Sequence, residues 1–229
     1  MKFIREELSG WKKWEVFWLS VATITIVLLS LYWKESLVGI ISATTGVICV
    51  VLTGKGKRSA FVFGTINTIL YAYISYKVHF YGETMLNALY YLPMQFYGIY
   101  VWNKHINSET NEVIKKQMTK KNLVILAGVI LLLTLIYGYI LTIINGNLAY
   151  IDSFSTVISI VAMIISIRRY AEQWILWIVV NCVTIFMWGY AFFVQDAESI
   201  ATLLMWCIYL INAIIMYIKW KKEAKLNEV

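Results

Sequence analysis

Three stretches of this chain carry amides and aromatic rings at helical spacing inside otherwise apolar runs. Trp174, Trp177, Asn181, Thr184 and Trp188 recur every three or four residues and so stack on one face of a helix. Thr84, Asn87, Tyr91, Gln95, Gly98 and Trp102 do the same, and Phe63, Asn67 and Tyr71 form a shorter third stripe. Bond-breaking chemistry needs a nucleophile, a base or a metal cluster at depth. The runs hold no HExxH, no serine–histidine pairing and no paired carboxylates. Amides and aromatic faces together recognise ligands: an indole stacks on a flat ring or a cation, and a carboxamide bonds hydroxyls or another amide. The stripes point to a neutral pocket for a flat heteroaromatic ligand, cationic ones included, with no metal and no cofactor.

The elements that carry these stripes are membrane spans. Hydrophobic residues make up 60% of the chain and charged residues 14%, outside the range of ordinary soluble domains. Eight apolar stretches lie near residues 17–33, 36–53, 60–78, 84–102, 122–144, 152–167, 173–194 and 197–218. Each approaches the roughly 20 residues that a helix needs to cross the hydrocarbon layer. The run at 152–167 is short and is expected to begin before Asp152. The alternation of an outer-membrane barrel is missing. An amide facing hydrocarbon without a partner costs several kcal/mol, so the stripes must face protein or water.

All but two of the twenty lysines and arginines fall on alternate connections starting from the N-terminus; the opposite side has only Lys34 and Lys77. Positive charge is retained on the cytoplasmic side of short loops, which places both termini in the cytoplasm. The net charge of +7 is explained by these loops, and nucleic acid is not an expected partner. The partners are the lipid bilayer and a small molecule. Residues 1–16 set Phe3, Ile4, Leu8 and Trp11 against charged neighbours and read as an amphipathic helix on the inner leaflet rather than a cleavable signal.

The chain repeats itself. At a shift of 114, Ser42 falls on Thr156, Phe63 on Trp177 and Asn67 on Asn181; after one inserted residue Glu83 meets Glu198, Asn87 meets Thr202 and Tyr91 meets Trp206. Three spans at 36–102 answer three at 150–219, with a linker span at 122–144 between them and a polar loop at 103–121. An odd number of linking spans makes the repeat parallel. The span at 17–33 is an addition in front, and 220–229 is a cytoplasmic tail. The fold class is therefore an all-α integral membrane protein with eight transmembrane helices, one N-terminal span plus a 3+1+3 repeat.

Other readings compete at single positions. Asn212, isolated on its span, suits helix–helix packing better than a ligand, and Trp18, Trp33 and Trp220 suit interfacial anchors. Pro93, the only proline, should kink its span and provide a hinge or a static bend near Gln95. Cys49, Cys182 and Cys207 read as small packing residues. The acids all sit in loops or at span ends, so no ionisable group is expected at mid-membrane and proton coupling is not expected. Sodium coupling through carbonyls and amides stays open.

The run Asn87-Ala-Leu-Tyr-Tyr-Leu-Pro93-Met-Gln95-Phe-Tyr-Gly98-Ile-Tyr-Val-Trp102 resembles a signature of the PnuC-type nicotinamide riboside transporters. So do Asp152-Ser-Phe154-Ser-Thr156 and Glu172-x-Trp174-x-x-Trp177-x-x-x-Asn181. The resemblance extends over nearly the whole chain from about Leu37. It implies a fold similar to the SWEET sugar carriers, a bacterial inner-membrane location and homotrimers. It also implies facilitated diffusion of nicotinamide riboside, a vitamin B3 precursor of NAD, trapped by phosphorylation in the cytoplasm. On that footing Trp177, Asn181 and Gln95 match substrate-binding positions. The stripes add Asn67, Asn87, Tyr91, Phe63, Trp174 and Thr184 as candidates, with Asn212 carried beside them. Thiamine, another cationic heteroaromatic, is the nearest alternative substrate. Riboflavin and nucleosides follow it, and a non-transporting membrane subunit is the reading from another class.

Overall fold

The computed structural model describes residues 2–143, 149–194 and 200–226. The chain runs through α1 (Lys2–Leu8), α2 (Lys13–Tyr32), α3 (Leu37–Lys55) and α4 (Ser59–Lys77). Then come α5 (Tyr81–Met85), a π-helical turn (Leu86–Tyr91) and α6 (Leu92–Asn103). A small hairpin of β1 (Ile106–Asn107) and β2 (Glu112–Val113) precedes α7 (Lys120–Ile143), α8 (Ala149–Ile167), α9 (Gln173–Val194) and α10 (Ile200–Leu226). Among the described residues, five segments are long and apolar enough to cross a membrane: Lys13–Tyr32, Leu37–Lys55, Lys120–Ile143, Gln173–Tyr190 and Ile200–Leu226. The protein is a nearly all-helical, multi-pass membrane protein.

Local chemistry sets the helix ends. Ser36 caps α3 by accepting the Gly39 N–H at 3.1 Å. The same helix stops at Gly56, whose φ of 85° lies in the left-handed region open to glycine. As expected, α8 starts ahead of Asp152. The stretch taken for a tail stays helical to Leu226, and the loop at 103–121 contains the hairpin. Asp196 and Glu198, the latter set against Glu83 by the repeat, lie outside the described residues.

Helices α3 and α4 pack along each other, as do α7 and α8, and α9 and α10. α3 also reaches α10, α6 reaches α8, and α2 rests on α3 and α10. Outward-facing leucines and isoleucines such as Leu131, Leu135 and Ile136 leave α7 largely exposed.

At the end where α3 stops and α10 finishes, buried charges tie four elements together. Lys55 pairs with Glu15 and with Glu112, each at 2.6 Å, and Lys219 pairs with Glu15 at 2.6 Å. Lys115 joins Glu112 at 2.6 Å to Glu223 at 2.5 Å. Buried ions are tolerated when paired in this way. Helix α1 also docks on the body of the protein. Its acidic side docks on the protein, with Arg58 held by Glu6 at 2.6 Å and Ser59 Oγ donating to Glu7 at 2.6 Å. Phe3, Ile4 and Leu8 are left on the exposed side. Lys57, fully buried, donates to the carbonyls of Glu6 (2.7 Å) and Asn111 (2.9 Å). That burial pushes its ammonium below the usual lysine range.

Candidate functional site

Between the helices lies a cavity of about 130 Å³, walled by α3, α4, the α5–α6 segment, α8, α9 and α10. Its wall on α4 is made by Phe61, Gly64, Asn67, Thr68 and Tyr71, positions three or four apart on one helical face. Strict four-residue spacing does not hold a face in an α-helix, because each step drifts by about 40°. Glu83, Asn87, Tyr91 and Gln95 are spaced four apart and yet all line the cavity. The wider turn between Leu86 and Tyr91 cancels the drift: there the Leu92 N–H reaches back to the Asn87 carbonyl. Pro93 follows directly, at the start of α6, where its missing N–H is tolerated. The π-helical turn thus immediately precedes the proline at which a kink is expected.

Eight of the ten expected ligand-binding residues face the cavity: Trp177, Asn181, Gln95, Asn67, Asn87, Tyr91, Trp174 and Thr184. Several have their polar atoms engaged. Asn67 Nδ2 donates to the Ser42 carbonyl at 2.8 Å, Asn87 Nδ2 to the Glu83 carbonyl at 2.9 Å, and Thr184 Oγ1 to the Val180 carbonyl at 2.9 Å. Gln95 Nε2 reaches Thr68 Oγ1 at 3.3 Å. Trp177 and Asn181 differ from these. Neither side chain finds a hydrogen-bond partner among the described residues, although Asn181 is 2% exposed. In the same wall Trp174 Nε1 and Trp206 Nε1 are buried without a partner as well, so unpaired polar groups gather around the cavity. Tyr91 stands beside Trp177 with ring centres 6.3 Å apart.

Two expected residues lie elsewhere. Phe63 is not in the wall; Phe61 is, and two residues along a helix turn a side chain by about 200°. Asn212 is fully buried away from the cavity, accepting from Trp18 Nε1 and donating to the Val50 carbonyl, both at 3.0 Å. It is packing glue, and Trp18 is its donor rather than a simple interfacial anchor. Trp220 is not an anchor either: fully buried, it donates to the Gly54 carbonyl at 2.8 Å. Trp33 remains half-exposed at its helix end. Cys49, read as packing, is in the cavity wall.

Sequence reasoning missed Glu83. In sequence it reads as an acid at a span end beside a neutral pocket, whereas in the fold the residue lines the cavity. The available signal was its position four residues before Asn87, in step with the stripe.

Aromatic clusters stand at the two ends. Towards the side of Lys34 and Lys77, Trp188 Nε1 donates to Tyr71 Oη at 2.8 Å, with Phe80 and Trp206 packed on the pair. Towards the charge network, Phe61 meets Trp102 edge-on at 4.9 Å, and Trp174 meets Trp220 at 5.8 Å. Gly98 permits this second cluster, since a Cβ there would collide with the Phe61 ring.

Apolar helices closed around a cavity of amides and aromatic rings form the architecture of a membrane transporter. The sequence profile of the nicotinamide mononucleotide transporter family matches residues 36–222, and the chain belongs to that family. It is 39% identical, over 96% of its length and 86% of the relative's, to the nicotinamide riboside transporter PnuC of Neisseria mucosa. It is 36% identical to the protein of that name from Haemophilus influenzae, over 96% of this chain and 95% of the relative. A crystal structure described as the vitamin B3 transporter PnuC superimposes with a TM-score of 0.90 at 37% identity, covering 99% of both chains.

Proposed function

We propose that this protein carries nicotinamide riboside across the bacterial inner membrane by facilitated diffusion, with the cavity as its substrate site. The observation that carries the reading is the pair Trp177 and Asn181: an indole and an amide in the cavity wall, neither bonded to another described side chain. The pyridinium of the riboside would stack on Trp177, worth about 0.5–2 kcal/mol. Its carboxamide and ribose hydroxyls would use Asn181 and Gln95. The matched family carries a mononucleotide in its description, whereas the curated relatives are named for the riboside. The cavity favours the riboside, because its lining residues include no lysine, arginine or histidine to receive a phosphate.

The cation is drawn inward by the membrane potential at about 2.3 kcal/mol per 100 mV, and phosphorylation in the cytoplasm would hold it there. The architecture we infer is eight spans, one plus three-one-three, with both termini cytoplasmic. The contact of α3 with α10 is answered by that of α8 with α6, as a parallel repeat requires. Alternating access would then open the Tyr71–Trp188 cluster and the Trp102–Trp174 cluster in turn, with Pro93 and the π-helical turn as the hinge. The resemblance also implies a homotrimer.

Uptake of labelled nicotinamide riboside by the purified protein in liposomes tests this reading. Exchange without any ion gradient, accelerated by a negative interior, is expected. Strict dependence on a sodium or proton gradient would contradict it. Transport of thiamine in place of the riboside would keep the site and change the vitamin.

A further inference from the structure

A groove separate from the cavity runs along the seam where α6 meets α8. It holds about 250 Å³ and is walled by Met94, Tyr97 and Val101 of α6, Ile164 and Ile167 of α8, and Arg168 just beyond. Phe96, Tyr97 and Tyr100 are exposed along the same stretch of α6, so the groove opens outward, to lipid. Met94, Tyr97, Val101 and Lys104 are three or four residues apart, which carries the groove's face of α6 on to Lys104 at the helix end. Arg168 and Lys104 thus flank the lysine-rich end of an otherwise apolar channel. The adjacent Arg169 is buried and donates to the Ile114 carbonyl at 3.2 Å. Arg168, by contrast, is exposed, and its guanidinium has no partner among the described residues. Lys104 is exposed too, and among the described residues its ammonium meets only the Tyr100 side chain, with the phenol oxygen at 2.5 Å.

We propose that the α6–α8 groove is a binding site for an anionic phospholipid. An acyl chain lies against Tyr97, Val101, Ile164 and Ile167, and the headgroup phosphate sits between Arg168 and Lys104. Basic pockets between spans hold anionic headgroups in this way, and a guanidinium offers a phosphate two parallel bonds. The two cations call for an anion and the channel calls for an apolar chain; a soluble anion supplies only the first. A second copy of this chain has little acid to offer, since among the described acidic side chains only Glu109 is exposed. An anionic glycerophospholipid supplies both parts and is drawn from the surrounding bilayer. One residue away from the groove, Gln95 of α6 and Met163 of α8 line the cavity, so the lipid closes the seam behind the cavity wall. The site is independent of what the cavity carries.

The test is native mass spectrometry of the full-length protein, delipidated and offered phosphatidylglycerol and phosphatidylcholine with identical acyl chains. One lysine or arginine beside an anionic headgroup raises affinity about fivefold. Wild-type protein should therefore retain phosphatidylglycerol at least fivefold over phosphatidylcholine. The double variant Arg168→Gln, Lys104→Gln should bring the two lipids to within twofold. The control Lys34→Gln, Lys77→Gln, at the opposite end, should keep the wild-type preference. Val101→Trp, which fills the channel, should weaken retention of both lipids at least threefold. No wild-type preference would overturn the assignment, as would a preference that survives in the double variant or is lost equally in the control. Unchanged retention in Val101→Trp would remove the channel from the site. An oligomer that falls apart in the double variant, with lipid retention unchanged, would make the groove a contact between copies and refute the lipid site. The charge variants replace exposed side chains, so their result stands even where Val101→Trp does not fold.

Discussion

The side chain of Gln95 lies against the bare Cα of Gly64: a methyl group at that glycine would sit 2.6 Å from Gln95 Oε1. α4 and α6 approach at this point with a cavity amide filling the space a Cβ would take. The collision is with the far end of a flexible side chain, so the helices need not part; the amide must turn. Gly64→Ala is therefore expected to leave the melting temperature nearly unchanged and to weaken ligand binding by about tenfold, or about 1.4 kcal/mol. Gly128→Ala, where a Cβ meets nothing within 4 Å, should change neither quantity.

The bond from Trp18 to Asn212 makes a different prediction. Asn212 joins α2 to α3 and α10 through Trp18 Nε1 and the Val50 carbonyl. Trp18→Ala leaves a buried acceptor without its donor, a loss of about 1–3 kcal/mol in addition to lost packing. Thermal melts in detergent should show the destabilisation, while calorimetry on the folded variant gives wild-type affinity. Loss of binding with stability intact would return Asn212 to the ligand site.

Stability should fall on acidification through Glu112. Burial raises its carboxyl pKa, but the Lys115 ammonium, with help from Lys55 and Lys219, outweighs that and holds it below the usual value. A depressed carboxylate contributes stability that is present above its unfolded pKa of about 4.3 and is lost as pH falls through the folded value. Melting temperatures between pH 6 and pH 3 should drop in the wild type. Glu112→Gln should start lower and show a flatter profile.

Cys49 offers a reporter that needs no label. It is half-buried in the cavity wall, whereas Cys182 is exposed on the opposite side of its helix from Asn181 and Thr184. In a Cys182→Ser, Cys207→Ser background, bound ligand should slow Cys49 modification by a small thiol reagent at least fivefold. Unchanged rates at saturating ligand would place the ligand elsewhere.

Much of this site could be read from periodicity. The stripe on α9 and the one running through Asn87, Tyr91 and Gln95 were legible because a polar side chain inside an apolar run has nowhere else to point. Several helix ends lie close to those of the apolar runs, though α10 continues well past its run to Leu226, and the short run before Ile167 does begin before Asp152. What failed depended on rotation and on long-range packing. The repeat paired Phe63 with Trp177, but a side chain's direction is set by the helix it sits on, and Phe61 faces the cavity. The π-helical turn shifts register without a sequence signature beyond the following proline, so from sequence Glu83 reads as an acid at a span end. Trp220 looked like an anchor because it ends an apolar run; only the fold brings Gly54 to it, from a position more than a hundred residues earlier. The docking of α1 rests likewise on Arg58 and Ser59, which are distant in sequence.

The most direct measurement is calorimetric titration of nicotinamide riboside into the wild type, Trp177→Ala and Asn181→Ala, each checked for an unchanged melting profile. Saturable wild-type binding, weakened at least tenfold in both variants, is the result the account predicts. Equal affinity in all three would contradict it, since the indole and the amide that no other side chain bonds would then have no ligand to hold.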